Sequence, residues 1–510
     1  MIDTVAGRTR TRELLETRYC LYQENGHPTL LQCDVMAEGS GHDHSLASAL
    51  THTINAASSN QAFSVTLYIL SIPLSTPKMY KQLIAALGLP ALAFANYSAP
   101  SYYYTGCTKT CVVDSSANDS SHAIVEAFRT CGHETGNDRG KVIFKKNETY
   151  NVRRVMNTTG LTNVDVEIHG TLLWDTDIDY WLNNSLPIGF QNQSTAWIFG
   201  GENVHWNGFG YGTLDGNGQV WYDFINGTNN YPGRPHQISF EGMKNSVIEK
   251  TRFVQSQMWT MTVIHSENVL LEDMYVNSTD AKQEVGFDFS SLNTDGADVI
   301  YSNSITFRNW VVDCGDDNIS TKANSTNILI ENQDWYTGLG FAMGSIGQYD
   351  GEFEYIENVT VRNVTVHDRM RYAAYFKTWT GVSRGYPPNG GGGGLGYAAN
   401  ITMSDFKLDN TSGIFAITQC TSYNEASGEC NTSEFNIRDI TVANWTGTST
   451  SAVLGELQCS GASPCTGIKF ENVSIEVPSN DTMAYHYLCG NVTDPIGFEC
   501  TDGLWEENNR

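Results

Sequence analysis

Positive charge is scarce in this chain of 510 residues: 30 lysines and arginines stand against 56 aspartates and glutamates, a formal net charge of −26 at pH 7. A surface of that sign repels phosphate backbones and excludes nucleic acid as a partner. Long apolar runs are missing as well. Outside short apolar segments at 63–74 and 83–89, nothing approaches the roughly 18 consecutive apolar residues that span a bilayer, so no membrane partner is expected. No His/Cys spacing of a metal site is present, and the expectation is no cofactor and no metal. The glycine-rich segment 208–218 lacks the Lys-Ser/Thr ending of a phosphate loop and is read as structural.

What the chain has instead is a repeat. From Asn203 onward a turn residue, alternating β-branched and polar residues, and a second Asn or Asp recur, as in Asn268-Val269-Leu270-Leu271-Glu272-Asp273 and Asn327-Ile328-Leu329-Ile330-Glu331-Asn332. Units starting at 246, 268, 304, 327, 358, 400, 436 and 467 lie 22 to 42 residues apart. Period-two alternation gives each strand one inward face, and a repeat of this length is one coil of a solenoid that buries its apolar face only by stacking. A propeller needs four strands per roughly 40 residues, too many for the shorter units. The fold class is therefore all-β, a single-stranded parallel β-helix, with Asp114–Arg129 as an N-terminal capping helix over its open end.

Within this frame three acids fall one coil apart. Asn293-Thr294-Asp295-Gly296 is followed 21 positions later by Gly315-Asp316-Asp317. Stacked strands lie about 4.7–4.9 Å apart, which predicts Asp295 beside Asp316 with Asp317 next in the chain. Crowded carboxyls cannot all ionise readily, so one is driven to hold a proton while its neighbours stay charged. Hydrolysis of a glycosidic bond needs both states, one acid for the leaving oxygen and one base for water.

These motifs, with Gly208 to Gly218 and Trp221 before them, resemble the polygalacturonase family, glycoside hydrolase family 28, over most of residues 105–500. The resemblance implies a right-handed, pectin-lyase-like β-helix and metal-free inverting hydrolysis of a pectic polysaccharide. It makes Asp316 the general acid and assigns Asp295 and Asp317 to activating the water. Two positions depart from the family pattern. Gly338-Leu339-Gly340 stands where Gly-His-Gly is usual, and Tyr375-Phe376-Lys377 where Arg-Ile-Lys is usual. An ionisable side chain and a carboxylate-gripping fork have gone. Leu339 and Tyr375 suit the methyl of a neutral rhamnose, while Lys377 is kept for a uronate. Asn293, Gln348, Tyr349 and Trp379 complete the candidate substrate-binding set, with Tyr386 as a further sugar platform; His265 and His367 are read as packing or surface residues. The loop from Trp379 through the glycines 390–394 resembles exo-acting members and is expected to close one end of the groove. The resulting expectation is an exo-acting monomer that releases terminal rhamnose from rhamnogalacturonan. The alternatives are release of galacturonate and, from another class, a weakly catalytic wall-binding β-helix.

Residues 1–78 carry no repeat and no site motif, whereas Met79-Tyr80-Lys81, an apolar core at 83–89 and Ala93-Phe94-Ala95 have the form of a secretory signal peptide. The expected organisation is an upstream extension over 1–78, a signal peptide over 79–95 and an extracellular hydrolase domain over 96–510. Ten of the twelve cysteines follow Ala95, an even number that favours disulfides in a secreted chain. Local pairs are expected at Cys420/Cys430, Cys459/Cys465 and Cys489/Cys500, with Cys107, Cys111, Cys131 and Cys314 unassigned. Sequons are dense, among them Asn147, Asn157, Asn226, Asn277, Asn358, Asn400 and Asn491, while Asn318, beside the acids, is expected to stay bare. The acidic surface also opposes a polyanionic substrate at neutral pH, so activity is expected below neutrality.

Overall fold

The computed structural model describes residues 107–501 apart from 283–289, 385–389, 422–428 and 480, and before them four strands between residues 18 and 70. Two units divide the chain, Met1–Ala93 and Phe94–Arg510. In the first, Arg18–Glu24 pairs antiparallel with His27–Cys33, and Ala49–Ser58 with Gln61–Leu70. The signal-peptide segment 79–95 lies outside the described residues.

The second unit is a right-handed parallel β-helix whose coils join into one 30-stranded sheet. Alternation in the sequence becomes alternation in burial: along Phe353–Met370 inward Ile356, Val359, Val361, Val364 and Val366 are sealed while the residues between them face out. The coil corners follow from backbone conformation. Asn245, Asn268, Ser304, Asn327, Asn358, Asn400 and Asp439 all have φ between 46° and 60°, the left-handed region that Asn and Asp tolerate better than other side chains. Asparagines at one corner bond to one another across coils, Asn268 Nδ2 to Asn245 Oδ1 at 2.8 Å and Asn358 Nδ2 to Asn327 Oδ1 at 3.2 Å. Two of the expected unit starts move: the corner is Asn245 rather than Ser246, and Asp439 rather than Asn436, because Val269 pairs with Ser246 and Ile401 with Ile440.

Stacked aromatic side chains fill the N-terminal half of the core. Phe199 meets Trp197, Trp206 and Phe240 edge-on with ring centroids 5.1–5.9 Å apart, each ring worth about 1.5–3 kcal/mol in burial. The capping helix runs Ser121–Cys131 rather than Asp114–Arg129. Residues 116–120 instead form a turn in which Ser116 N donates to Ser120 Oγ. The helix lays Ile124 and Phe128 over the first coil, with Phe128 5.5 Å from Phe199, and Cys111–Cys131 ties it to the preceding strand. All three expected local disulfides form. Cys107 is exposed and free, and Cys314 is buried and free. The glycine-rich segment packs as expected: a Cβ on Gly212 would lie 1.9 Å from Ile168 O.

Candidate active site

The two acid turns lead into adjacent strands, Ala297–Ile300 and Ile319–Thr321. Ala297 pairs with Ile319, so the coil step is 22 residues rather than 21 and Asp295 stands in register with Asp317, not Asp316. Gly296 N donates to Asp317 O at 2.9 Å, and Thr260 N to Asp295 O at 2.8 Å. The turns need their glycines, since a Cβ on Gly315 would lie 2.1 Å from Ser291 O. One oxygen from each of Asp295, Asp316 and Asp317 falls within 4.8 Å of the others. Asp295 and Asp317 are buried, whereas Asp316 is half-buried and the most exposed of the three.

Burial, then the charge of Asp317, pushes the Asp316 carboxyl up to about 6, against the opposing pull of Lys377 and Lys322. Burial and the charges of Asp316, Asp298 and Asp317 push Asp295 well above the usual carboxylate range. Asp316 also accepts from Asn293 Nδ2 at 2.9 Å and from Asp317 N at 3.0 Å, while the Asn293 oxygen accepts from Asn230 N at 2.7 Å. Asn293 thus orients the acid. Lys377 Nζ donates to both Asp317 oxygens, at 3.0 and 2.8 Å. Although burial opposes its charge, Asp317 and Asp316 hold its pKa above the ordinary lysine range. The ammonium assigned from the sequence to a uronate therefore engages Asp317 first. The three acids have the spacing of a cation site, but this ammonium already neutralises one of them.

Leu339 sits half-buried on the next coil, its N–H donating to Asp316 O at 2.8 Å. Tyr375 is half-buried and stacks on Tyr372 at 5.0 Å, with the Lys377 ammonium 5.5 Å from its ring. Gln348 is buried and accepts from Gln191 Nε2 at 2.9 Å, a bridge between two loops far apart in sequence. Tyr349 and Trp379 are half-buried. The glycine run is fastened rather than loose: Gly391 N and Gly392 N donate to Gln348 O at 2.7 and 3.0 Å, and Gly393 N to Thr380 O at 2.8 Å. Tyr386 lies outside the described residues. His265 stacks on Tyr301 and His367 bonds Asp334 at 2.6 Å, both away from the acids. Asn318 is buried with both ends of its amide engaged, at Thr337 O and Gly340 N.

Four charged or polar groups escaped the sequence reading. Asp298 and Lys322 form a buried pair at 3.2 Å, burial lifting Asp298 to about 7 against the pull of Lys322. Arg234 and His236 are buried at the short strand Pro235–His236, two coils before Asp295. The available signal was the charge of Asp298 inside the otherwise apolar strand Ala-Asp-Val-Ile; Lys322, just after Ile-Ser-Thr, carried none.

Residues 147–497 match the family model described as glycosyl hydrolases family 28. The chain belongs to that family. As a family 28 glycoside hydrolase it is 48% identical over 420 residues to "Alpha-L-rhamnosidase rgxB" of Aspergillus niger, covering 82% of this chain and 95% of that one. It is 33% identical over 431 residues to "Exopolygalacturonase" of Cochliobolus carbonum, covering 82% and 92%. Among solved family structures, the endo-xylogalacturonan hydrolase of Aspergillus tubingensis shares the fold with a TM-score of 0.64 at 22% identity, covering 78% of this chain and 99% of that one. Among the described residues no helix is long and apolar enough to cross a membrane.

Proposed function

We propose that this hydrolase releases terminal rhamnose from rhamnogalacturonan outside the cell, acting on chain ends as a monomer below neutral pH. The observation that carries the reading is Leu339, an apolar side chain on the coil next to Asp317 whose own N–H is anchored on Asp316 O. A hydrophobic residue there favours a sugar with a methyl where a uronate has a carboxylate, because an unpaired carboxylate against leucine would lose its hydration without a partner. The 48% identity to a protein named as an alpha-L-rhamnosidase supports the same choice. Asp316, the most exposed of the three acids, gives its proton to the glycosidic oxygen as the C–O bond breaks. A water held by Asp295 and Asp317 attacks the anomeric carbon from the opposite face and loses its proton to the ionised carboxylate, so configuration inverts. The fastened glycine run and the Gln191–Gln348 bridge support a closed groove end and exo action.

Release of galacturonate is the second reading, favoured by the retained Lys377 and by the relative named as an exopolygalacturonase. Incubation with rhamnogalacturonan fragments ending in rhamnose, and separately with oligogalacturonides, separates the two by the monosaccharide set free. Rhamnose from the first substrate with little product from the second is expected. Galacturonate from the second with no rhamnose from the first overturns the proposal, and silence on both leaves the binding-only reading. The anomer formed at first turnover, read by proton NMR, tests inversion.

A further inference from the structure

Arg234 is fully buried just before the strand Ile238–Glu241, which pairs with Met261–Ile264 and through it with Ala297–Ile300, the strand that follows Asp295. Its Nε donates to Gln257 O, but Nη1 and Nη2 have no hydrogen-bond partner, and neither does the buried Oδ1 of Asp295. The segment carrying it is threaded into the acid turns. Asn230 N donates to the Asn293 side chain at 2.7 Å, Gln237 N to Trp259 O at 3.1 Å and Thr260 N to Asp295 O at 2.8 Å. Burying a guanidinium with two unpaired nitrogens is costly unless a negative charge lies nearby. Burial lowers the Arg234 pKa to about 10, opposed by Tyr222, Asp295 and Asp316, so it remains a cation under any working condition.

The ionisable groups around it can be placed one by one. Tyr222, on the helix Gln219–Ile225, is a neutral phenol donating to Ser256 O at 2.9 Å, with Asp280 beyond it. His236 is neutral, since burial with Lys322 and Arg234 nearby pulls its pKa down to about 3. Lys322 is committed to Asp298 and Lys377 to Asp317. Lys377 and Asp317 cancel. Asp298, lifted to about 7, leaves Lys322 charged below neutrality, so Arg234 and Lys322 together stand against Asp295 and Asp316.

We propose that Arg234 is the third cation of the active site, a positioning residue that keeps one of Asp295 and Asp316 ionised while the other holds a proton. The inference rests on the reading of these acids as the catalytic pair. With Arg234 in place one of the two carboxyls can stay charged beside its protonated neighbour, the state that general acid and base catalysis requires at the start of each turnover. Without it that ionisation costs more, and the base forms only at higher pH. Across the turnover the count balances: the acid's proton leaves on the released hydroxyl, and the attacking water's proton restores the total to one.

The test uses the full chain as Arg234→Gln and Arg234→Lys, with kcat/KM measured from pH 3 to 8 beside the parent. In Arg234→Gln the acid limb of the profile should move up by about one pH unit or more, the size of effect of one nearby opposite charge, and Arg234→Lys should restore most of it. An Arg234→Gln protein that is less active at every pH with an unmoved limb, or one that lysine does not rescue, overturns the proposal. Thermal unfolding supplies a readout that does not depend on turnover: Asp295→Asn should recover most of the melting temperature lost in Arg234→Gln, whereas simple addition of the two losses would count against it. Near-normal hydrolysis by a folded Asp316→Asn protein would instead remove the catalytic reading, a result distinguishable from either.

Discussion

Replacing Lys377 by methionine keeps the side-chain stem and removes the ammonium, leaving Asp317 buried at 1% exposure beside two other acids. Breaking a buried ion pair from one side costs about 3–5 kcal/mol when the remaining charge stays ionised. Lys377 also pulls down the Asp316 carboxyl, which already sits at about 6, so its loss lifts Asp316 further above its unfolded value, at about 1.4 kcal/mol for each pH unit of that shift. A carboxyl whose folded-state pKa is raised withdraws stability as pH rises, so the folded variant holds more protons than the parent near neutrality. Urea unfolding of both proteins at pH 5, 6 and 7 should therefore show a gap that widens with pH. A constant gap would refute the reasoning. Turnover should fall on rhamnogalacturonan and on a small neutral rhamnoside alike, because the group lost serves Asp317. A defect confined to the uronate-bearing polymer would show that Lys377 serves the substrate instead, as the sequence alone suggests.

Asp316→Asn should retain the parent's melting temperature and lose about 10²–10⁴-fold or more in turnover, the usual share of a general acid; rates on a folded variant decide it. In the parent, kcat should decline as pH rises through about 6, where Asp316 loses its proton, and a profile flat to pH 8 would contradict that assignment. Asp298 has a folded-state pKa of about 7, above its unfolded value, so it withdraws stability between about pH 4 and 7; Asp298→Asn should flatten that part of the stability curve. Expression from Met79 in a secreting host should yield an active protein beginning at Asn96, checked by terminal sequencing of the secreted material.

The corners of the coils were legible because left-handed turns select Asn and Asp, and because strand alternation survives averaging over many coils. The same property misplaced two unit starts, Ser246 by one residue and Asn436 by three. Asn436 and Asp439 both precede β-branched residues, and only the pairing of Ile401 with Ile440 distinguishes them. Asp295, Asp316 and Asp317 were legible because two short turn motifs carry them, but the one-residue difference in coil step was not, since it depends on where each strand begins. Arg234, Asp298 and Lys322 stayed hidden for a different reason. Their meaning lies in what faces them from neighbouring coils, and Arg234 is 61 positions from Asp295 in the chain (295 − 234).

The second corner of each coil repeats as faithfully as the first, in Lys250, Asp273, Asn309, Asn332, Asn363, Asp405 and Asn444, again with positive φ. The two corners are always five positions apart, 268 to 273, 327 to 332, 400 to 405. Coil length varies elsewhere, in the chain between Tyr275–Asn277 and Ala297–Ile300, between Phe341–Ile346 and Phe353–Met370, and between Ala374–Trp379 and Leu395–Thr411. The molecule thus separates a fixed ruler from an adjustable rim. Loops beside the groove can lengthen, shorten or exchange without altering the spacing that sets Asp295 against Asp317, so a new sugar preference can arise on this scaffold while the hydrolytic chemistry is inherited unchanged.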